Sequence, residues 1–183
     1  MLYSRIKKCR ISNDQKLVSI GKLGDLSLTG TFKKKRYQKD EFTPIELLFS
    51  KKSKLLQLAH NYNEFKLFGK NYGYRSSLNK SMIEHLKKKK NKLIKISKPE
   101  NGDLVLDIGS NDGSLLNMYS KNLVRYGVDP TARKFKKYYK KDIKVTPKIF
   151  KKNIFKSNLK FKIITAIAMF YDLKNPMGFC KEI

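Results

Sequence analysis

The second half of the sequence predicts an α/β fold built on a parallel sheet, on three observations. Short apolar segments alternate with helix-patterned ones from residue 100 onward. A glycine-rich loop follows the first apolar segment directly. An Asp-Pro pair closes the second, with Asp129 lying 22 positions after Asp107. The elements read in order as strand Leu104 to Ile108, helix from Leu115 to Tyr119, strand Val124 to Val128 and helix around Phe135 to Tyr139. A short strand at Ile143 to Val145, a helical stretch at Ile149 to Phe155 and a long apolar strand from Ile163 to Phe170 complete the series. This β-α-β-α-β-α-β order implies parallel strands joined by right-handed crossovers.

The first half reads differently. Residues 1–60 form a small β-rich domain. Leu17, Val18 and Ile20 make one apolar stretch, punctuated by Gly21, Gly24 and Gly30, and Lys33 to Asp40 is a basic, exposed connection. Ile45 to Leu58 is a second apolar stretch, and Ser50-Lys51-Lys52-Ser53 marks a turn between two strands. Residues 61–98 hold a tyrosine-rich segment and a helix. Ser81 with Glu84 fits a capping box, and Met82, Ile83, Leu86, Leu93 and Ile94 recur at helical spacing. Pro99 ends that helix, because the residue before proline is pushed out of helical geometry. Residues 99–183 are the α/β region.

The chain has 183 residues and a formal net charge of +27. That charge invites a nucleic-acid reading through counterion release. The cations are 36 Lys and only 6 Arg, however, and Arg is the better reader of base edges and phosphates. The run Lys87 to Lys90 continues a helix and reads as a solvated face. No specific nucleic-acid partner is expected, only non-specific attraction to polyanions. No window approaches 18 uncharged apolar residues, and no apolar core follows the N-terminal cations. With two distant cysteines, Cys9 and Cys180, a soluble cytoplasmic protein without a membrane partner is expected.

The chemistry concentrates in VLDIGSNDGSLL, residues 105–116. Gly109 permits a tight turn with close ligand approach, and Asn111 tolerates a left-handed backbone. The following helix start offers N–H groups to an anionic group. Asp129 stands where an acid reaches ribose hydroxyls in dinucleotide folds. Yet the loop is G-S-N-D-G rather than GxGxxG, and it carries Asp107 and Asp112. Two carboxylates repel a pyrophosphate. They suit a ligand with an ammonium or a sulfonium, which points to S-adenosylmethionine rather than to a nicotinamide cofactor.

At these residues the sequence resembles the nucleotide-sugar C-methyltransferases that use S-adenosylmethionine. The resemblance covers nearly the whole chain: Cys9-Arg10-Ile11, LGDLSLTGTF at 23–32, LLQL at 55–58, LFGKNYGYRSSLNKSMIEHL at 67–86, VLDIGSNDGSLL at 105–116, YGVDPTARKF at 126–135 and ITAIAMFYDLKNP at 164–176. It implies a zinc-ribbon-like N-terminal domain ahead of a Rossmann-like class I methyltransferase domain. It also implies methyl transfer to a carbon of a keto nucleotide sugar. Carried over, Asp107, Gly109, Ser110, Asn111, Asp112, Gly113, Asp129, Pro130, Met169 and Phe170 form the cofactor site, with Asp129 on the ribose. Tyr72, Tyr74 and Ser76 lie on the substrate side.

Two departures qualify the resemblance. The family's paired CxxC knuckles fall here on Cys9, Ser12, Ser50 and Ser53, so one of four cysteines is present. Zinc wants thiolate or imidazole ligands, His60 is the one nearby imidazole, and bound zinc is not expected. C-methylation also needs a base near a carbon-bound proton. His85 and Tyr74 are the candidates, and the family's Glu/His block has no counterpart before Ile183. The chain therefore reads as an N-terminal fragment, inactive by itself, with an incomplete methyltransferase domain. The alternative reading is a non-catalytic module that binds S-adenosylmethionine or a nucleotide sugar.

Overall fold

The computed structural model describes residues 1–30, 33, 35–69, 71–155 and 159–183. Thr31 and Phe32 of LGDLSLTGTF, Lys34 of the basic connection and Lys70 of the tyrosine-rich segment lie outside the described residues. The chain divides into two units, residues 1–73 with 171–183, and residues 74–170.

The first unit is antiparallel. Strand β1 (Tyr3–Arg5) pairs with β5 (His60–Tyr62), and β2 (Leu17–Ser27), β3 (Phe42–Ser50) and β4 (Leu55–Leu58) form a three-stranded sheet in the order β2-β3-β4. The expected turn between two strands is the β3–β4 connection. Strand β2 is longer than its apolar start because two register shifts, between Ser19 and Gly21 and between Lys22 and Gly24, carry the ladder past the glycines. Short helices α1 (Glu64–Leu67) and α5 (Pro176–Glu182) complete this unit.

The second unit begins with the long helix α2 (Lys80–Ser97). Its cap is Asn79, whose side chain accepts from the Ser81 and Met82 N–H groups. The Ser81–Glu84 capping box therefore gives way to an asparagine cap two residues earlier. Strand β6 (Leu104–Ile108), the one-turn helix α3 (Ser114–Asn117), β7 (Val124–Val128), α4 (Ala132–Phe135), β8 (Lys144–Thr146) and β9 (Ile163–Thr165) follow. All three ladders are parallel, in the order β8-β7-β6-β9. Leu86 of α2, Leu115 and Leu116 of α3, and Val105 and Ile163 of the sheet share one buried core with Tyr119, Tyr139 and Ile143. The unit is thus an α/β fold with a four-stranded parallel sheet flanked by helices.

Three elements are shorter than the sequence implies. The helical stretch at Ile149 to Phe155 is a single 3-10 turn at Lys152–Ile154, and α3 stops at Asn117. The long strand Ile163 to Phe170 is the third: β9 ends at Thr165. Its partner β6 turns into the glycine loop after Ile108, so residues beyond Thr165 have no ladder to join. Ala168 takes a left-handed backbone, φ 55°, and redirects the chain. Among the described residues, no helix is long and apolar enough to cross a membrane.

Candidate ligand site at the carboxyl ends of β6, β7 and β9

From β6 the chain moves outward through β7 to β8, then returns to the other side of β6 as β9. The direction of winding therefore reverses between β6 and β9. In open α/β sheets, ligands bind beyond the carboxyl ends of the strands at such a reversal. The glycine loop lies there, at the end of β6. Asp129 follows β7, and the turn at 166–169 follows β9.

Gly109 and Gly113 both hold left-handed backbone, φ 75° and 76°, as does Asn111 at φ 49°. A Cβ on Gly109 would come within 2.9 Å of Met169 Cγ, and one on Gly113 within 2.5 Å of the Tyr139 ring. The loop is stitched by side chains. Tyr139 donates its hydroxyl proton to the Asn111 carbonyl (2.7 Å), which leaves Ser110 Oγ as the donor to Tyr139 Oη (2.8 Å). Asp129 accepts from the Asn111 N–H (2.9 Å) on one oxygen and from Thr131 N–H (2.6 Å) and Oγ1 (2.5 Å) on the other. Asp112 is almost fully buried and accepts from Ser114 N–H (3.2 Å) and Oγ (2.6 Å).

Asp107 is the chemically distinctive group. It is 4% exposed at the end of β6, and Thr165 Oγ1 donates to it at 2.7 Å. Burial pushes its carboxyl up to about 7; the Thr165 hydrogen bond works against that, and the nearby Asp129 charge adds to it. A carboxyl poised near neutrality in a cleft is a functional-site feature. Asp107 lines a cavity of about 40 Å³ with Gly109, Ser110, Ser114 and Leu115. Tyr74, Ser76, Met82, Leu86, Ile167 and Ala168 close the cavity. That is room for a few waters, against roughly 300–1,000 Å³ in ligand pockets.

The structure brings Asp107, Gly109, Ser110, Asn111, Asp112, Gly113 and Asp129 together, with Tyr74 and Ser76 beside them. Met169 packs over Gly109, not at the end of a strand. Phe170 begins a 3-10 turn and is 40% exposed, and Pro130 is exposed. Tyr72 falls in the first unit, where its ring packs on Gly30 and edge-on to Phe68. His85 is exposed on α2, while Met82 and Leu86 of that helix line the cavity. Ser114, Tyr139 and Thr165 join the site without belonging to the residues that the sequence marks for it. Only Ser114 carried a signal, as the hydroxyl next after Asp-Gly.

The four knuckle positions also meet, in the first unit. Cys9 Sγ lies 3.2 Å from Ser53 Oγ, and Ser12 Oγ lies 3.4 Å from Ser50 Oγ. Burial raises the Cys9 thiol, but the Ser12 and Ser53 hydroxyls and the backbone at Ser12 and Ile11 outweigh it and bring it down to about 6. One thiol and three hydroxyls do not fit zinc, which is held by thiolate, imidazole or carboxylate. Among the described residues there is no group of three or more His, Cys, Asp or Glu placed to hold a metal. Purified protein is expected to carry well under one zinc per chain, and a chelator to leave its thermal midpoint unchanged. Stoichiometric zinc that disappears in Cys9→Ser would overturn this.

The chain matches no protein-family model and no curated protein.

Proposed function

We propose that the second unit binds S-adenosylmethionine on the glycine loop and serves C-methylation of a keto nucleotide sugar. One observation carries the reading. Three segments far apart in sequence, around Tyr74–Ser76, Asp107–Ser114 and Ile167–Ala168, line a single cavity at the winding reversal of the sheet. All three fall within blocks that carry the resemblance. When bound, the cofactor supplies a methyl group on a sulfonium. The chain's own part is to receive an ammonium at Asp107, shape the approach with Gly109 and Gly113, and hold the loop through Asp129.

Asp129 holds loop backbone as well as offering a carboxylate, so Asp129→Ala is expected to weaken binding of S-adenosylhomocysteine by roughly tenfold or more. Unchanged affinity of folded Asp129→Ala by calorimetry would remove the assignment. A cationic ligand also favours the ionised form of Asp107. Binding near pH 7 should therefore release a proton, and the calorimetric enthalpy should vary with the ionisation enthalpy of the buffer.

A second reading, a non-catalytic binding module, is favoured by the position of His85 outside the cavity. Methyl transfer from labelled donor to keto nucleotide sugars separates the two. Turnover above background selects the enzyme, whereas binding without turnover across sugars selects the module.

A further inference from the structure

Two side chains at the tip of the glycine loop, Asn111 and Asp112, are bonded to the segment that precedes α2. Asn111 Oδ1 accepts from the Ser76 N–H at 3.0 Å, and Asn111 Nδ2 donates to the Tyr74 carbonyl at 3.1 Å. Asp112 Oδ2 accepts from the Ser77 N–H at 3.1 Å. A cation–π contact completes the attachment, with the Arg75 guanidinium 4.0 Å from the centroid of the Tyr138 ring. Tyr74 and Ser76 of this same segment wall the cavity of about 40 Å³.

We infer that residues 74–77 form a strap that acts as an internal competitor of the ligand. The competition is for space. The strap is fastened to the loop at Asn111 and Asp112, and its Tyr74 and Ser76 wall the cavity beside Asp107, where the ammonium would be received. Opening breaks three hydrogen bonds but leaves no buried carboxylate bare, since Asp112 keeps the Ser114 N–H and Oγ on its other oxygen. The cavity is too small for any drug-sized ligand while the strap is down. Opening therefore precedes entry, and strap and ligand exclude each other. Among the described residues the attachment to the loop is local: three hydrogen bonds and one ring contact, on a segment half-exposed to water, in contrast to the β6 ladder with neighbours on both sides. Segments of that kind open far below the free energy of global unfolding. The nature of the ligand rests on the proposed function, whereas the strap does not.

The test is residue-resolved amide hydrogen exchange on the full chain, wild type and Arg75→Ala. Without ligand, the Ser76 and Ser77 amides are expected to exchange well before those of Leu106 and Ile108. Arg75→Ala should speed the two serine amides by about fivefold, the size of one cation–π contact, and leave β6 unchanged. Saturating S-adenosylhomocysteine should speed them further, and Arg75→Ala should bind it about fivefold more tightly. Exchange of Ser76 and Ser77 only through global unfolding would overturn the strap. So would a ligand that slows their exchange, since that describes a lid closing over the ligand. If S-adenosylhomocysteine binds neither form, the cofactor reading fails, and ligand-free exchange then decides the strap alone.

Discussion

Asp107→Asn is expected to stabilise the protein above pH 7 while it weakens ligand binding. The folded carboxyl sits near 7, whereas an unfolded aspartate titrates near 3.9. Between about pH 4 and 7 the folded state holds a proton that the unfolded chain has released. Stability from this group is therefore full below about pH 4, falls as pH rises through that window, and is level above about 7. The asparagine keeps an oxygen for Thr165 Oγ1 and never ionises. It should recover about 2–4 kcal/mol at pH 8, read as a higher urea midpoint at unchanged slope, and little at pH 4. A variant no more stable than wild type at pH 8 would show that Asp107 is hydrated in solution. Loss of ligand affinity alongside a gain in stability would mark Asp107 as a group kept at a cost for binding.

The parallel strands were legible because short runs rich in Val, Leu and Ile, bounded by turns, mark buried strands even where one charged residue interrupts them, as Asp107 and Arg125 do. Leu104–Ile108 and Val124–Val128 match their runs residue for residue. The same signal overshoots at Ile163 to Phe170. Apolar character reports burial, and it does not report where a neighbouring strand stops supplying hydrogen bonds. Helix α2 was legible from its period, but its start was misplaced, because Asn79 and Ser81 are both good caps and only one can face the free N–H groups.

Within the site, the residues found from sequence are those whose chemistry is local: glycines with left-handed backbone, an asparagine that tolerates it, and carboxylates at strand ends. Tyr139 and Thr165 escaped because their roles are set across 28 and 58 positions of chain. The strap's closure onto the loop spans 35 positions. Composition alone gives no hint that Asn111 and Asp112 are engaged by backbone rather than waiting for a ligand.

Of the two glycines of the loop, Gly113 is expected to lose more from a single methyl group than Gly109. Its φ of 76° is strained for any residue with a Cβ, and that Cβ would lie 2.5 Å from Tyr139 Cδ1 and 2.8 Å from Cε1 and Cγ. Left-handed backbone costs about 1–2 kcal/mol, and forcing a methyl against a packed ring about 1–3 more. Gly113→Ala should therefore lose about 3 kcal/mol in urea unfolding. Gly102 supplies the control, since it has φ 89° but nothing within 4 Å of its would-be Cβ. Gly102→Ala meets the backbone strain without the clash and should lose only about 1–2 kcal/mol. The difference between the two measures how firmly the ring is held. Tyr139 is buried with its hydroxyl engaged by Ser110 and Asn111, so it has no open side to move toward without releasing the loop. Ligand affinity should accordingly fall in Gly113→Ala and hold in Gly102→Ala. Equal losses of stability in the two variants would mean that the ring yields freely and that Tyr139 does not lock the loop.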